Sequence, residues 1–405
     1  MQAGAGGDSQ KSFVSQSGVR RSLTWLSAMP VLGLALWLAA GWERPVAVND
    51  FVEYWAASRQ LLAGENPYAP AQMLDRERTA GFTGAPPLMM RNPPWVFPFT
   101  LPFGALPFAL GQRLWFGLGM VSVLISIQLL WRLYASEKLH YRLIWLTTAT
   151  FLPVATVLAV GQITPLVLLG VAGFLHCQHK RRDGSAGAFA LLIAIKPHLA
   201  FLFWPALLLW ALHERRWRTL LVLVGAGFVA SATSLAFHSA VFSEYLVYWK
   251  EGDILSELIP TLGGVLRLFF GLQKHWLGFI PAIGAGVWFL FHWLRHRHHW
   301  NWLEQMPLLL LVSVATTPLS WFFDQVVLLP CVLQATVWIA MRGKSGPWPV
   351  SLYLGMNAVM LGLILTHRTT FWYAWTAPAW LVLYLAAGFL ARSGRSASRP
   401  LSVSA

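Results

Sequence analysis

Asp50 and Glu53 are carboxylates three residues apart at the head of the stretch NDFVEYWAASRQLLAGENPYAP, residues 49–70. A carboxylate held in place can act as a general base, taking the proton of an attacking hydroxyl. Further along, polar side chains recur where apolar runs turn: Gln162, Lys196, His198, Asp324, Gln325, His367 and Arg368. Polar groups at membrane depth are costly unless they line water or a ligand, so they mark a site by default. Each also has a plainer reading. Asp50 with Glu53 has the spacing of a helix N-cap and capping box. Lys196 can snorkel to an interface. Gln162 can satisfy helix ends at a turn, Asp324 can pair with a neighbouring Arg or Lys, and His367 and Arg368 can be interface anchors.

The element that must carry Asp50 is legible. Phe51, Tyr54, Trp55, Leu61 and Leu62, with small Ser58 between them, form the stripe of an amphipathic helix, and Gly64, Asn66 and Pro67 end it. The stripe is aromatic-rich and follows an apolar segment, so the helix is expected to lie in the membrane interface plane.

Of 405 residues, 56% are hydrophobic and 11% charged, against about 25% charged in a soluble domain. Apolar runs of about twenty residues recur from end to end, which describes an all-α polytopic membrane protein without room for a soluble domain. The net charge of +14 does not point to nucleic acid. Lys and Arg sit in short clusters between apolar runs, which is topology information rather than a binding stripe. The 23 Trp suit interfacial belts and a sugar- or lipid-lined cavity. Cys177 and Cys331 lie inside apolar runs, so neither a disulfide framework nor a thiolate metal site is expected. The run RHRHHW from Arg295 has the composition of a metal tract but reads as a basic anchor. Asp75 and Glu77 fall in a polar loop. No metal or cofactor is expected.

Placing the basic clusters in the cytoplasm gives about twelve crossings. Residues 1–22 read as a disordered cytoplasmic tail, 23–391 as one membrane-embedded domain and 392–405 as a second tail, with 23–41 an uncleaved signal anchor. Residues 42–107 form a first outer loop, whose proline-rich part from Asn92 dips or lies on the surface rather than crossing. Residues 183–213 and 306–341 each make a short helical pair, bent on the outer side at Lys196-Pro197-His198 and at Pro318 to Gln325. Such bends would leave a cavity open to the outer leaflet.

Five segments in this order resemble glycosyltransferase family 87 of the GT-C superfamily, which includes mannosyltransferases. They are DFVEYWAASRQLLAGENPYAP, RNPPWVFPFTLPFGALP, GQITPLVLLG, LLIAIKPHLAFL and TPLSWFFDQVVLLP. The last departs from the family's Ser-Trp-x-His pattern, with Phe322-Phe323-Asp324 where many members have a His. The resemblance implies a GT-C-type fold with outer-face amphipathic helices. It also implies inverting transfer of a hexose, foremost mannose, from a polyprenyl-phosphate donor to a lipid or glycan acceptor on the outer face of the inner (plasma) membrane. The catalytic aspartate maps onto Asp50.

The chemistry agrees. A polyprenyl phosphate is a good leaving group, with a second pKa of about 6, so one base suffices and no general acid is required. Lys196, His198 and Arg368 are the expected ligands of the donor phosphate. Tyr54, Gln162, Asp324 and Glu53 are the expected sugar or acceptor contacts. Two other classes stay open: a sugar or lipid transporter or flippase, which also uses broken helices, and a non-catalytic envelope-assembly subunit. The lack of an obvious internal repeat counts against the first, and the retained Asp50 and Lys196 against the second. A topology reporter fused at Asp75 is expected to report the outer side; a cytoplasmic signal there would remove the site from the donor's leaflet.

Overall fold

The computed structural model describes residues 48–84, 86–134, 141–251, 257–342 and 348–396. The expected signal anchor at 23–41 and the N-terminal tail lie outside the described residues, as does most of the C-terminal tail. Among the described residues the secondary structure is helical, with no strand.

The region expected as the first outer loop folds as α1 (Phe51–Leu62) and α2 (Pro70–Thr79), then a 3-10 turn (Pro94–Val96) and α3 (Phe97–Gly104). The long α4 (Phe108–Tyr134) follows, then α5 (Tyr141–Thr150) and α6 (Leu152–Val160), bent 56° against each other. Next come α7 (Thr164–His179), α8 (Asp183–Ile193), a 3-10 turn (Pro197–Ala200), α9 (Phe203–His213) and α10 (Trp217–Phe237). The chain then forms α11 (Val241–Glu251) and α12 (Leu262–Phe270). The chain continues through α13 (Ile280–His296), α14 (Trp302–Thr316), a 3-10 segment (Phe322–Leu328), α15 (Leu329–Arg342), α16 (Trp348–Leu365) and α17 (Thr376–Ser396).

Six helices among the described residues are long and apolar enough to cross a membrane, or seven if the bent pair α5–α6 is one span. The described residues do not confirm the expected twelve. The reason is helix length. At 1.5 Å per residue, α7, α8, α9 and α14 reach about 16–24 Å, short of a hydrocarbon core of about 30 Å. Helix α3, eight residues long, does not cross either. The α8–α9 hairpin starts and ends together: Arg216 donates to Asp183 at 3.2 Å, and the His213 ring meets that of His298. Its bend, at Lys196, therefore lies at the opposite end.

Helix α1 is enclosed by protein on both faces. Its back, Val52, Ala56, Ala57 and Gln60, is as buried as its aromatic stripe. On the stripe side α3 and α4 close over it. Ser58 donates to Thr100 at 2.8 Å, Trp55 Nε1 to the Leu106 carbonyl at 2.9 Å, and Phe51 packs on Phe108 and Trp115. The Asp75–Glu77 segment is not a loop. It lies in α2, and Glu77 is buried there, accepting the Leu88 N–H with both carboxylate oxygens at 3.0 and 3.2 Å. Burial pushes the Glu77 carboxyl up to about 7.

The head of α1 docks on the C-terminal end of α6. The Asp50 N–H donates to Val160 O at 2.9 Å and Asn49 Nδ2 to Ala159 O at 3.1 Å. Gly161 closes α6 at φ +80°, and a Cβ there would meet the Asn49 amide at 2.8 Å. Both the left-handed backbone and the space require glycine. Gly161→Ala is expected to lower stability by about 1–3 kcal/mol and to reduce activity by displacing Asn49 and Asp50. The melting temperature in detergent checks the first, and turnover of the protein that stays folded checks the second.

Candidate active site

Asp50 occupies the N-cap position of α1, yet its carboxylate makes no capping bond. The neighbouring Asn49 accepts the Phe51 N–H at 3.2 Å instead. The expected capping box is therefore absent, and the Asp50 carboxylate is free to turn towards the α6–α7 junction. There Gln162 Nε2 donates to Asp50 Oδ2 at 2.8 Å and lies 3.5 Å from Glu53 Oε1. The other end of the same amide accepts from Tyr54 OH at 2.7 Å and from Lys196 Nζ at 2.9 Å. Only this amide orientation sets its N–H bonds against carboxylates and its oxygen against donors.

Lys196 stands at the bend of the α8–α9 hairpin and donates to Asp324 Oδ1 at 2.8 Å. Thr164 donates to the same oxygen at 2.7 Å, and the Trp321 N–H reaches Oδ2 at 3.2 Å. The network thus joins four distant pieces of chain: the head of α1, the α6–α7 turn, the α8–α9 bend and the 3-10 segment before α15.

Asp324 is 0% exposed and Tyr54 1%, so in this structure both face protein partners rather than open surface. Asp324 holds Lys196, and Tyr54 holds Gln162. Asp50, Glu53 and Gln162 are half-buried and keep some surface. Lys196 is 7% exposed and spends two of its three N–H donors on Gln162 and Asp324, leaving one. His198 is half-buried beside this pair, within the fields of both Asp324 and Lys196. Arg368 is not brought in: it is exposed, its guanidinium 5.8 Å over the Trp372 ring, and His367 beside it is exposed too. Gln325 is buried and donates to Thr376 at 2.6 Å, a packing role.

The two carboxylates differ. Burial raises the Asp50 carboxyl above its ordinary range, opposed by the Gln162 bond and the Lys196 charge. Glu53 is pushed up to about 8, by burial first and by the charge of Asp50 second. Near neutral pH Glu53 therefore holds a proton, and Asp50 is the member of the pair that ionises first.

One cation escaped the sequence reading. Arg91 heads RNPPWVFPF, a segment that draws attention for its prolines. Its guanidinium pairs with Glu257 and lies 5.4 Å over the Trp321 ring. A lone Arg before a proline-rich outer segment was the available signal. Among the described residues no group of three or more His, Cys, Asp or Glu could hold a metal ion. A cavity of about 400 Å³ opens elsewhere, between α5, α15, α16 and α17. Its hydroxyls at Thr150, Thr336 and Tyr353 are bonded to helix carbonyls, so it presents an apolar wall.

The fold and site define a helical protein with several helices apolar and long enough to cross a membrane, and with a carboxylate, an amide and a buried ammonium gathered at helix bends. Residues 91–318 match the family model Glycosyltransferase family 87. The match covers more than half of the chain, which therefore belongs to that family and is a glycosyltransferase. It includes Arg91, Gln162 and Lys196 and ends just before Asp324, while Asp50 precedes it. No curated protein and no solved structure matches the chain.

Removing one partner of the buried Lys196–Asp324 pair should cost about 3–5 kcal/mol, because a charge is left without compensation. Asp324→Ala is expected to melt well below wild type. Adding Lys196→Met to it should restore much of the stability and none of the activity. Denaturation and turnover of the two singles and the double check this.

Proposed function

We propose that this glycosyltransferase moves a hexose, foremost mannose, from a polyprenyl-phosphate donor to a lipid or glycan acceptor at the outer face of the plasma membrane. Asp50 is the general base. It takes the proton of the acceptor hydroxyl, whose oxygen attacks the anomeric carbon from the side opposite the phosphate. The carbon–oxygen bond to the phosphate breaks, its electron pair leaves with the phosphate, and the anomeric centre is inverted. The departing phosphate goes from one negative charge towards two. The remaining donor of Lys196, with His198 beside it, answers that charge as it develops.

The observation that carries this reading is the single amide of Gln162, which bridges Asp50 to Lys196 through bonds of 2.8 and 2.9 Å. It sets base and cation at a short, fixed separation, as a displacement between a hydroxyl and a phosphate requires. Glu53, protonated near neutral pH, adds no second negative charge against the donor.

The test is sugar transfer in nanodiscs from synthetic polyprenyl-phosphate mannose to a mixture of membrane lipids. Asp50→Asn should lower the turnover rate about 100-fold or more, the scale of a lost general base. Glu53→Gln, which mimics the protonated form, should keep most of the activity below pH 8. Transfer requires ionised Asp50, so the rate should fall as pH drops through a pKa above the ordinary carboxylate range. Equal turnover in wild type and Asp50→Asn would remove Asp50 as base. Transfer from a sugar nucleotide but not from the lipid-linked sugar would overturn the donor.

A further inference from the structure

We infer that Arg91 is a second ligand of the donor phosphate, and that Glu257 occupies its place until the donor arrives. The inference rests on the polyprenyl-phosphate reading above and adds a residue pair that the sequence did not single out.

Arg91 is placed beside Lys196 by the main chain. Asn92 Nδ2 donates to Ile195 O at 3.0 Å and Trp95 Nε1 to Ala194 O at 3.0 Å, so the residues flanking the two cations are stitched together. Both cations also lean on one aromatic ledge. The Arg91 guanidinium lies 5.4 Å from the Trp321 ring centre and the Lys196 ammonium 5.8 Å from that of Phe323. Those two rings are 2° from parallel, with centres 6.3 Å apart. The charges of both cations act on Glu53.

The contact with Glu257 is a two-pronged fork. Arg91 Nη1 donates to Oε2 at 3.2 Å, and Nη2 donates to Oε1. Two oxygens of a phosphate fit the same fork, and guanidinium groups bind both anions this way. Arg91 cannot offer it to both at once, so a phosphate that takes Arg91 must displace Glu257.

Glu257 is built for that exchange. Its main chain is pinned by the buried Arg267, whose Nη1 donates to Glu257 O at 3.0 Å. The same guanidinium holds Leu272 O at 3.1 and 2.8 Å. The carboxylate itself is loosely held: the Glu257 side chain is 47% exposed and that of Arg91 29%. An exposed ion pair is worth only about 0–1 kcal/mol, so turning Glu257 out to water costs little. The gain grows during reaction. The phosphate becomes more negative as the sugar departs, so Arg91 binds the transition state more strongly than the ground state. Before the donor binds, Glu257 neutralises the Arg91 charge near Lys196, where the Tyr248 hydroxyl supplies a further, uncharged partner.

The experiment measures binding of geranylgeranyl monophosphate, with geranylgeraniol as the uncharged control, to the full chain in nanodiscs. Wild type should prefer the phosphate. Glu257→Ala should bind it about 2- to 5-fold more tightly, because the competitor is gone. Arg91→Ala should bind it about 10-fold or more weakly, the scale of a lost hydrogen bond to a charged group. Arg91→Lys, which keeps the charge and loses the fork, should fall between. The double variant should match Arg91→Ala, since Glu257 acts only through Arg91. A merely structural ion pair predicts the opposite sign, so unchanged or weaker binding in Glu257→Ala overturns the inference and leaves the donor reading intact. No preference of wild type for the phosphate over the alcohol overturns both.

Discussion

The buried ion pair of Lys196 and Asp324 is the constraint on which the rest depends. Removing two charges from water is unfavourable, and their attraction repays it only when every remaining lone pair and proton is matched. Here Thr164 and Gln162, both at the α6–α7 junction, and the Trp321 N–H do most of that matching. The α8–α9 bend, the start of α7 and the segment before α15 are thereby held to one point. Gln162 passes the constraint on to Asp50. A change at any of these segments is felt at Asp50.

The irregular backbone of the site follows from the same physics. Non-helical chain at membrane depth survives only where protein or a water-filled cavity covers it. Helices α8, α9 and α14 are too short to cross, and the interruptions between them carry Lys196 and the Trp321–Asp324 segment. Burial of α1 between α3 and α4 has a related effect. A helix free in the interface plane would leave Asp50 in high dielectric. Enclosed, the carboxylate is raised in pKa by desolvation and kept ionisable by one hydrogen bond and one nearby cation.

The segments around α2 and α11 complete the arrangement by closing on each other. Tyr68, from the Asn-Pro-Tyr end of the first stretch, stacks on Tyr248 and donates to Asn92 O at 3.3 Å. This aromatic cluster ties 66–68 and α11 to the segment that bears Arg91. The cation missed in the sequence is thus positioned by elements about 20 and 150 residues away, at distances in the chain that no local pattern encodes.

Much of the class and of the site was legible in the residues alone. Low charge, repeated apolar runs and clustered Lys and Arg are one-dimensional signals, and they determined an all-helical membrane protein. Pro197 and the polar residues around it were enough to place a bend at Lys196, because proline and buried charge act locally. Asp50 stood out because a carboxylate beside an apolar run has few inexpensive reasons to be there. Tertiary structure decided the rest. Apolar runs did not reveal which helices are shorter than a hydrocarbon core, so the twelve crossings counted from them are not confirmed. An amphipathic stripe on α1 did not reveal that its small-residue back is covered as well. The partners of Asp324, Tyr54 and Arg91 were undetermined, since a hydrogen bond of under 3 Å between residues more than 100 positions apart depends on how the chain closes. That closure made Asp324 a support for Lys196, left Arg368 outside, and set Arg91 beside Lys196.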